Sequence, residues 1–242
     1  MSWTLLNTRP AHQARTVTEA ARAVGMAVIA CPTLSIRCLP FPTVAAQCWV
    51  FTSVNAVRCY LAQEPRLPQG QLIAIGPATA EALQQAEKEV PPIFSLPKNF
   101  NSEEVLEMPI FDPKNGPSGQ TVAIVKGEGG RTLLQKSLSA RGWAVEVVTV
   151  YRRVRRPLCE GWAMFRQAPQ PLLLAMSVEA VEALLAAVPE VDRHWLMRVP
   201  VAALSGRIGQ ALQAKGWQGP VYVAPRSDGD GMIQLLTTLG QA

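Results

Sequence analysis

A chain of 242 residues, 48% hydrophobic and only 17% charged, is long enough for one large domain or two ordinary ones and too apolar to be disordered. Its formal charge of +5 favours anionic partners. Nucleic acid is excluded, because aromatic residues make up 6% and the one dense basic run (Arg152, Arg153, Arg155, Arg156) is too short for a binding stripe.

In chain order, residues 3–6 form a short apolar strand, and Asn7, Thr8, Arg9 and Pro10 lead into a helix over 11–24, with proline suited to its first turn. Gly25 ends that helix and 26–31 is the next strand, which makes a strand–helix–strand unit with a parallel crossover. The prolines at 40 and 42 mark a connection. Strand 49–51 then runs through Thr52 and Ser53 into helix 54–61, and strand 71–75 through Gly76 and Pro77 into helix 78–85, with Thr79 in its first turn. Asn101 to Glu104 reads as a capped helix start and 109–119 as a surface loop. A second strand–helix–strand unit follows: strand 121–125, glycine-rich turn 126–130, helix 131–140, strand 143–150. The arginine run at 152–156 reads as another connection. Strand 172–175 enters helix 178–187 through Ser177, strand 199–204 enters helix 208–215 through Ser205, and Asp228 to Asp230 caps the last helix. Strands alternating with helices of this length predict parallel sheets covered on both faces, an α/β fold.

The chain also repeats itself. VFTSVNAVRCYL (50–61) and LAMSVEAVEALL (174–185) align at a constant offset of 124 residues, matching Ser53, Val54, Ala56, Val57 and Leu61 to Ser177, Val178, Ala180, Val181 and Leu185. Gly25-Met26-Ala27-Val28 and Gly142-Trp143-Ala144-Val145 match at an offset of 117. The order is therefore A, B, A′, B′. Both repeated serines fall at helix N-termini, where free backbone N–H groups and the helix dipole favour bound anions.

Five cysteines, an odd number with no C-x-x-C, argue against a disulfide framework or a zinc site and for a reducing cytoplasm. The N-terminal MSWTLLNTRP lacks a signal-peptide profile, and no apolar run approaches the ~20 residues of a membrane helix. His12 and His194 have no partner at metal spacing, and Glu103, Glu104 and Glu107 read as a solvated face. The turn from Lys126 to Arg131 is neither a dinucleotide fingerprint, since Thr132 stands at the third glycine, nor a phosphate-binding P-loop. It is either a cradle of N–H groups for a carboxylate or phosphate, with Gly127 and Arg131 in it, or a bare tight turn. Tyr151 stands beside four arginines. Its ring is either packing or, with that charge beside it, a good proton donor.

Together, Asn7 to Pro10 (NTRP), Phe51 to Val57 (FTSVNAV), Ala74 to Ala80 (AIGPATA), Lys126 to Arg131 (KGEGGR) and Val150 to Arg152 (VYR) resemble, in order and spacing, the uroporphyrinogen-III synthase family. The resemblance implies two flavodoxin-like parallel-sheet domains joined by a two-stranded linker at 34–42 and 151–157, with 1–33 and 155–242 forming one domain, 37–151 inserted in it, and the active site in the cleft between them. It implies cyclisation of hydroxymethylbilane to uroporphyrinogen III with loss of water and inversion of ring D, no cofactor and no metal. The substrate would be a small polycarboxylate. The protein would be cytoplasmic and monomeric, with no membrane or nucleic-acid partner, and room for transient contact with the preceding pathway enzyme. Tyr151 matches the family tyrosine that assists departure of the hydroxyl. Arg9, Thr52, Ser53, Gly76, Thr79, Gly127, Arg131 and Ser177 would bind carboxylate arms. Ser205 and Arg207 stand where the family often has Gly-Pro-x-Thr, so one of them would replace that threonine. Two other functions compete: an anion- or sugar-binding module that closes on a hinge without catalysis, and a phosphate-ester enzyme built on the Lys126 turn, which lacks the acidic metal ligands such chemistry uses.

Overall fold

A computed structural model describes residues 2–86, 93–95, 102–112 and 119–241. Along the chain, β1 (Thr4–Asn7), α1 (Ala11–Ala23) and β2 (Ala27–Ala30) are followed by β3 (Leu34–Cys38), β4 (Cys48–Phe51), α2 (Val54–Leu61), β5 (Gln71–Ala74), α3 (Pro77–Gln84) and β6 (Ile93–Ser95). Next come α4 (Ser102–Leu106), β7 (Thr121–Gly127), α5 (Leu133–Ala140) and β8 (Ala144–Arg155). The chain ends with α6 (Trp162–Arg166), β9 (Pro171–Ala175), α7 (Val178–Ala187), α8 (Glu190–Leu196), β10 (Val201–Ala203), α9 (Gly206–Ala214), β11 (Val221–Val223) and α10 (Gly229–Gln241).

Contacts divide the chain into unit 1, Met1–Ser35 with Val154–Ala242, and unit 2, Ile36–Arg153. The sheet of unit 1 has the order β11-β10-β9-β1-β2, parallel throughout. That of unit 2 has the order β3-β8-β7-β4-β5-β6, parallel from β8 to β6. Its extra strand runs antiparallel to β8, since the Arg156 N–H donates to the Thr33 carbonyl and the Leu39 N–H to that of Val150. Setting β3 aside, the two sheets have one topology: β7 and β8 stand where β1 and β2 do, and β4, β5 and β6 where β9, β10 and β11 do. Each sheet thus combines one A-type and one B-type segment of the sequence repeat.

Central strands are apolar along their whole length because helices cover both faces. All four residues of β4 are buried, as are Leu172 to Ala175 of β9. Unit 2 packs Phe51, Tyr60, Leu83 and Val150 on one face and Ile73, Val105, Phe111 and Trp143 on the other. Unit 1 likewise divides Leu6, Phe165, Leu184 and Leu212 from Leu5, Leu174, Met232 and Leu236. Asp228 accepts from the Gly231 N–H at 2.7 Å and so caps α10.

Several sequence expectations need correction. The arginine run, read from the residues alone as a connection, is strand, since β8 continues to Arg155, which agrees with the strand that the family resemblance implies at 151–157. Helix α5 starts at Leu133, after Gly129 and Gly130 turn the chain with φ of 72° and 77°. Two short helices, α6 and α8, have no counterpart in the sequence reading. The proposed cap Asn101 lies outside the described residues, as do 113–118 of the expected loop; Pro109–Phe111 is a 3-10 turn that buries Phe111. The cysteines differ most: Cys31 bonds Cys159 and Cys38 bonds Cys59, with Cα atoms 5.1 Å and 5.2 Å apart, and Cys48 is free and buried. Partners 128 and 21 residues apart leave no local motif, so the odd count misled.

Candidate active site

The site in unit 2 gathers at the carboxyl ends of β4, β7 and β8, where ligands sit in open parallel sheets. Tyr151 is aimed there by an irregularity in β8. Lys126 pairs with Thr149 but Gly127 pairs with Tyr151, so β8 carries one extra residue at this point. Both Val150 and Tyr151 are buried, which breaks the alternation of the strand, and a bulge of this kind re-aims a side chain. The ring lies directly on Gly127. A Cβ there would stand 2.5 Å from Tyr151 Cζ, so only glycine admits it.

Ser53 supplies the facing hydroxyl. Its extended backbone and small side chain cap α2, with Oγ accepting from the Ala56 N–H at 3.2 Å. Ser53 Oγ and Tyr151 Oη lie 3.2 Å apart. Arg153, two residues along β8 and so on the same face, donates from Nη2 to Tyr151 Oη at 3.4 Å, and its guanidinium sits 5.6 Å from the ring centre. These groups line a cavity of about 330 Å³ together with Thr52, Ser102, Lys126, Glu128 and Gln135. Burial lowers the Lys126 pKa from its ordinary value, so an anion beside the ammonium would offset the lost water.

The expected residues divide sharply. Thr52, Ser53, Gly127, Arg131 and Tyr151 line this one cavity. Arg131 is turned to Glu103, with Nη2 to Oε1 at 2.6 Å, and the Glu103 pKa is lowered by its own backbone N–H and by this partner. Thr52 donates both its N–H and its O–H to the Val125 carbonyl. Gly76, with φ of 95°, opens α3 at the neighbouring strand end. Thr79 is buried in the first turn of that helix and donates its O–H to Ile75; neither it nor Gly76 lines the cavity. Sequence reasoning placed Arg153 in the basic run beside Tyr151 without singling it out from its neighbours. The available signal was its two-residue spacing from Tyr151, which puts both on one face of a strand.

Unit 1 has its own row at the ends of the adjacent strands β10, β9 and β1. Ser177 caps α7 as Ser53 caps α2, accepting from the Ala180 N–H at 3.2 Å. Ser205 occupies the same place before α9 but makes no side-chain cap, and Arg207 is exposed in the first turn. Arg9, half-buried after β1, has its pKa lowered by burial.

Fold and site together define a class: an α/β protein of two parallel-sheet units whose strand ends present N–H-lined helix starts, hydroxyls and cations to oxyanions. The model of the uroporphyrinogen-III synthase (HemD) family matches residues 15–234. Uroporphyrinogen-III synthase of Escherichia coli K12 is 28% identical over 175 residues, 71% of this chain and 68% of that one. The Salmonella typhimurium LT2 enzyme is 29% identical over 138 residues, 56% of this chain and 54% of its own length. Among solved structures, the Helicobacter pylori 26695 uroporphyrinogen-III synthetase superposes with a TM-score of 0.59 at 14% identity, covering 99% of this chain and 100% of that one. A mutant uroporphyrinogen III synthase from the extreme thermophile Thermus thermophilus gives 0.57 at 16%, covering 100% and 98%. At such identities the structures speak for the fold alone. The family model spans nearly the whole chain, and the chain belongs to the uroporphyrinogen-III synthase family.

Proposed function

We infer that this chain cyclises hydroxymethylbilane to uroporphyrinogen III, and that the cavity of Ser53, Lys126 and Tyr151 is where the reacting end of the substrate is held. Membership of the family carries the reaction, and the hydroxyl pair flanked by Lys126 and Arg153 carries the site. A binding module without catalysis is not favoured by that membership.

The chemistry suits what these residues offer. The terminal hydroxyl leaves with a proton as water, and the pyrrole nitrogen lone pair stabilises the resulting azafulvene cation. Attack through the substituted carbon of ring D gives a spiro intermediate that breaks and recloses with the ring inverted. Spontaneous closure gives the uninverted type I isomer, so the protein's main task is to position the ends. Tyr151 would donate to the departing oxygen. Lys126, Ser53 and, in unit 1, Arg9, Ser177, Ser205 and Arg207 would hold acetate and propionate arms.

What supports these roles is the lie of Tyr151 in the cavity and the serine-capped helix starts. We extend the reading to a monomeric, cytoplasmic enzyme. The paired cysteines remove the cysteine count as a ground for that compartment, and no described helix is long and apolar enough to cross a membrane. The compartment rests instead on a substrate that closes spontaneously to the wrong isomer and must be met where it is released. Supplying enzymatically made hydroxymethylbilane and resolving type I from type III product after oxidation tests the function. Type I alone, at the rate without protein, would refute it.

A further inference from the structure

Ser53 and Tyr151 form a hydrogen-bonded pair with a surplus proton, because both ends of the pair are capped by groups that can only donate. At one end the Ala56 N–H donates to Ser53 Oγ. At the other, Arg153 Nη2 donates to Tyr151 Oη. A guanidinium has no acceptor, and neither does a backbone N–H. The two hydroxyls own two protons, and the single bond between them, 3.2 Å long, consumes one. Among the described residues no other acceptor takes the second. One O–H therefore points into the cavity whichever way the shared bond runs, and a ligand oxygen that accepts a proton completes the set.

We propose that Arg153 is a positioning residue for this reaction: with Ser53 donating to Tyr151 Oη, its own donation to the same oxygen holds the phenol so that the Tyr151 O–H is the one aimed at the departing hydroxyl. The proposal rests on the reading of this cavity as the reaction site. It deepens that reading by separating Arg153 from the cations that hold carboxylate arms. A guanidinium above the ring also stabilises negative charge that builds on the phenol oxygen as its proton moves towards the leaving group. Proton transfer balances: the Tyr151 O–H bond breaks, the new O–H bond forms on the departing hydroxyl, and water leaves with the electrons of the carbon–oxygen bond. The site ends one proton poorer and regains it from solvent or from the proton that the pyrrole sheds on closure. Arg152, adjacent in the chain, does not line the cavity.

The test is a double-mutant cycle on kcat and KM with isomer analysis, using Arg153→Met, Arg153→Lys, Tyr151→Phe and the double Arg153→Met/Tyr151→Phe, each checked for folding by circular dichroism. Because Arg153 is exposed, its variants keep the core. Arg153→Met should lower kcat about tenfold with KM changed less than about threefold, and Arg153→Lys should recover most of that. In the Tyr151→Phe background Arg153→Met should add less than about twofold, since the oxygen through which it acts is gone. An equal loss in both backgrounds, or a loss confined to KM, would make Arg153 an independent carboxylate contact and overturn the proposal while leaving the site reading intact. Tyr151→Phe at the wild-type rate would remove the site reading as well.

Discussion

Tyr151 is held by contacts that survive loss of its hydroxyl, because its ring packs on Gly127 and beneath Arg153. Tyr151→Phe therefore keeps the packing and removes only the donor. The expected outcome is a fall in kcat of about 10²-fold with a smaller change in KM, and type III as the product that remains. Spontaneous closure must be subtracted in that assay, since it yields type I. A Phe variant working at full rate would show the ring to be packing alone. Lys126 gives a second prediction, through its pKa. Burial lowers it, so the ammonium loses its proton at a pH below the ordinary lysine value of about 10.4. Charge is present below that lowered pKa and lost as pH rises through it. KM for the polycarboxylate should accordingly climb on the alkaline side. Lys126→Met should raise KM at neutral pH and flatten its alkaline rise; an unchanged slope in a pH series of KM would remove Lys126 from binding.

At the scale of elements, β7 and β8 make the site because the Tyr151 ring of one lies over Gly127 of the other, where no side chain intervenes. The extra residue in β8 turns Tyr151 onto Gly127, and the Glu128 N–H closes the pair on the Tyr151 carbonyl at 2.7 Å. Gly127→Ala puts a methyl group 2.5 Å from the ring carbon that carries the hydroxyl. The ring must swing away, and activity should fall by up to about 10²-fold, the order expected for a misplacement near 1 Å. The melting temperature and the kinetics of this variant, measured together, separate site displacement from unfolding. The disulfides act on elements too. Cys38–Cys59 ties β3 to α2, the helix that Ser53 caps, and Cys31–Cys159 joins the end of β2 to the segment before α6. Denatured but unreduced protein should take up one iodoacetamide, at Cys48, and five after reduction. Reduction should also cost about 2–4 kcal/mol of stability for each bond, read as a lower denaturant midpoint. Five alkylations without reduction would show the bonds absent.

For the whole molecule, the charge of +5 and a substrate with eight carboxylates make association sensitive to salt. Screening lengths shrink from about 10 Å at 0.1 M to 3 Å at 1 M, so KM should rise steadily over that range while kcat, set by groups in contact, changes little. Initial rates across a potassium chloride series check this. A KM indifferent to salt would place binding in apolar contacts instead.

Much of this was legible in the sequence because it is local. Helix boundaries at 54–61 and 178–187, the two serine caps and the alternation of strand and helix all follow from short-range rules of propensity, capping and periodicity, and the repeat doubled each signal. Lys126, Gly127 and Ser53 could be nominated as candidates for the same reason, since each sits where a strand ends; Tyr151 was nominated at the end of an expected strand that in the structure continues to Arg155. What the chain order could not supply is which segments share a sheet. Segments that follow one another, A then B, end up in different sheets, and only long-range strand pairing, β1 with β9 and β4 with β7, decides that. The bulge that aims Tyr151, the ring seated on Gly127, the donation from Arg153 and the cysteine pairs all join residues far apart in sequence, or hinge on one unpaired residue in a strand. A composition or a period carries no trace of them, because they exist only once the sheets have formed.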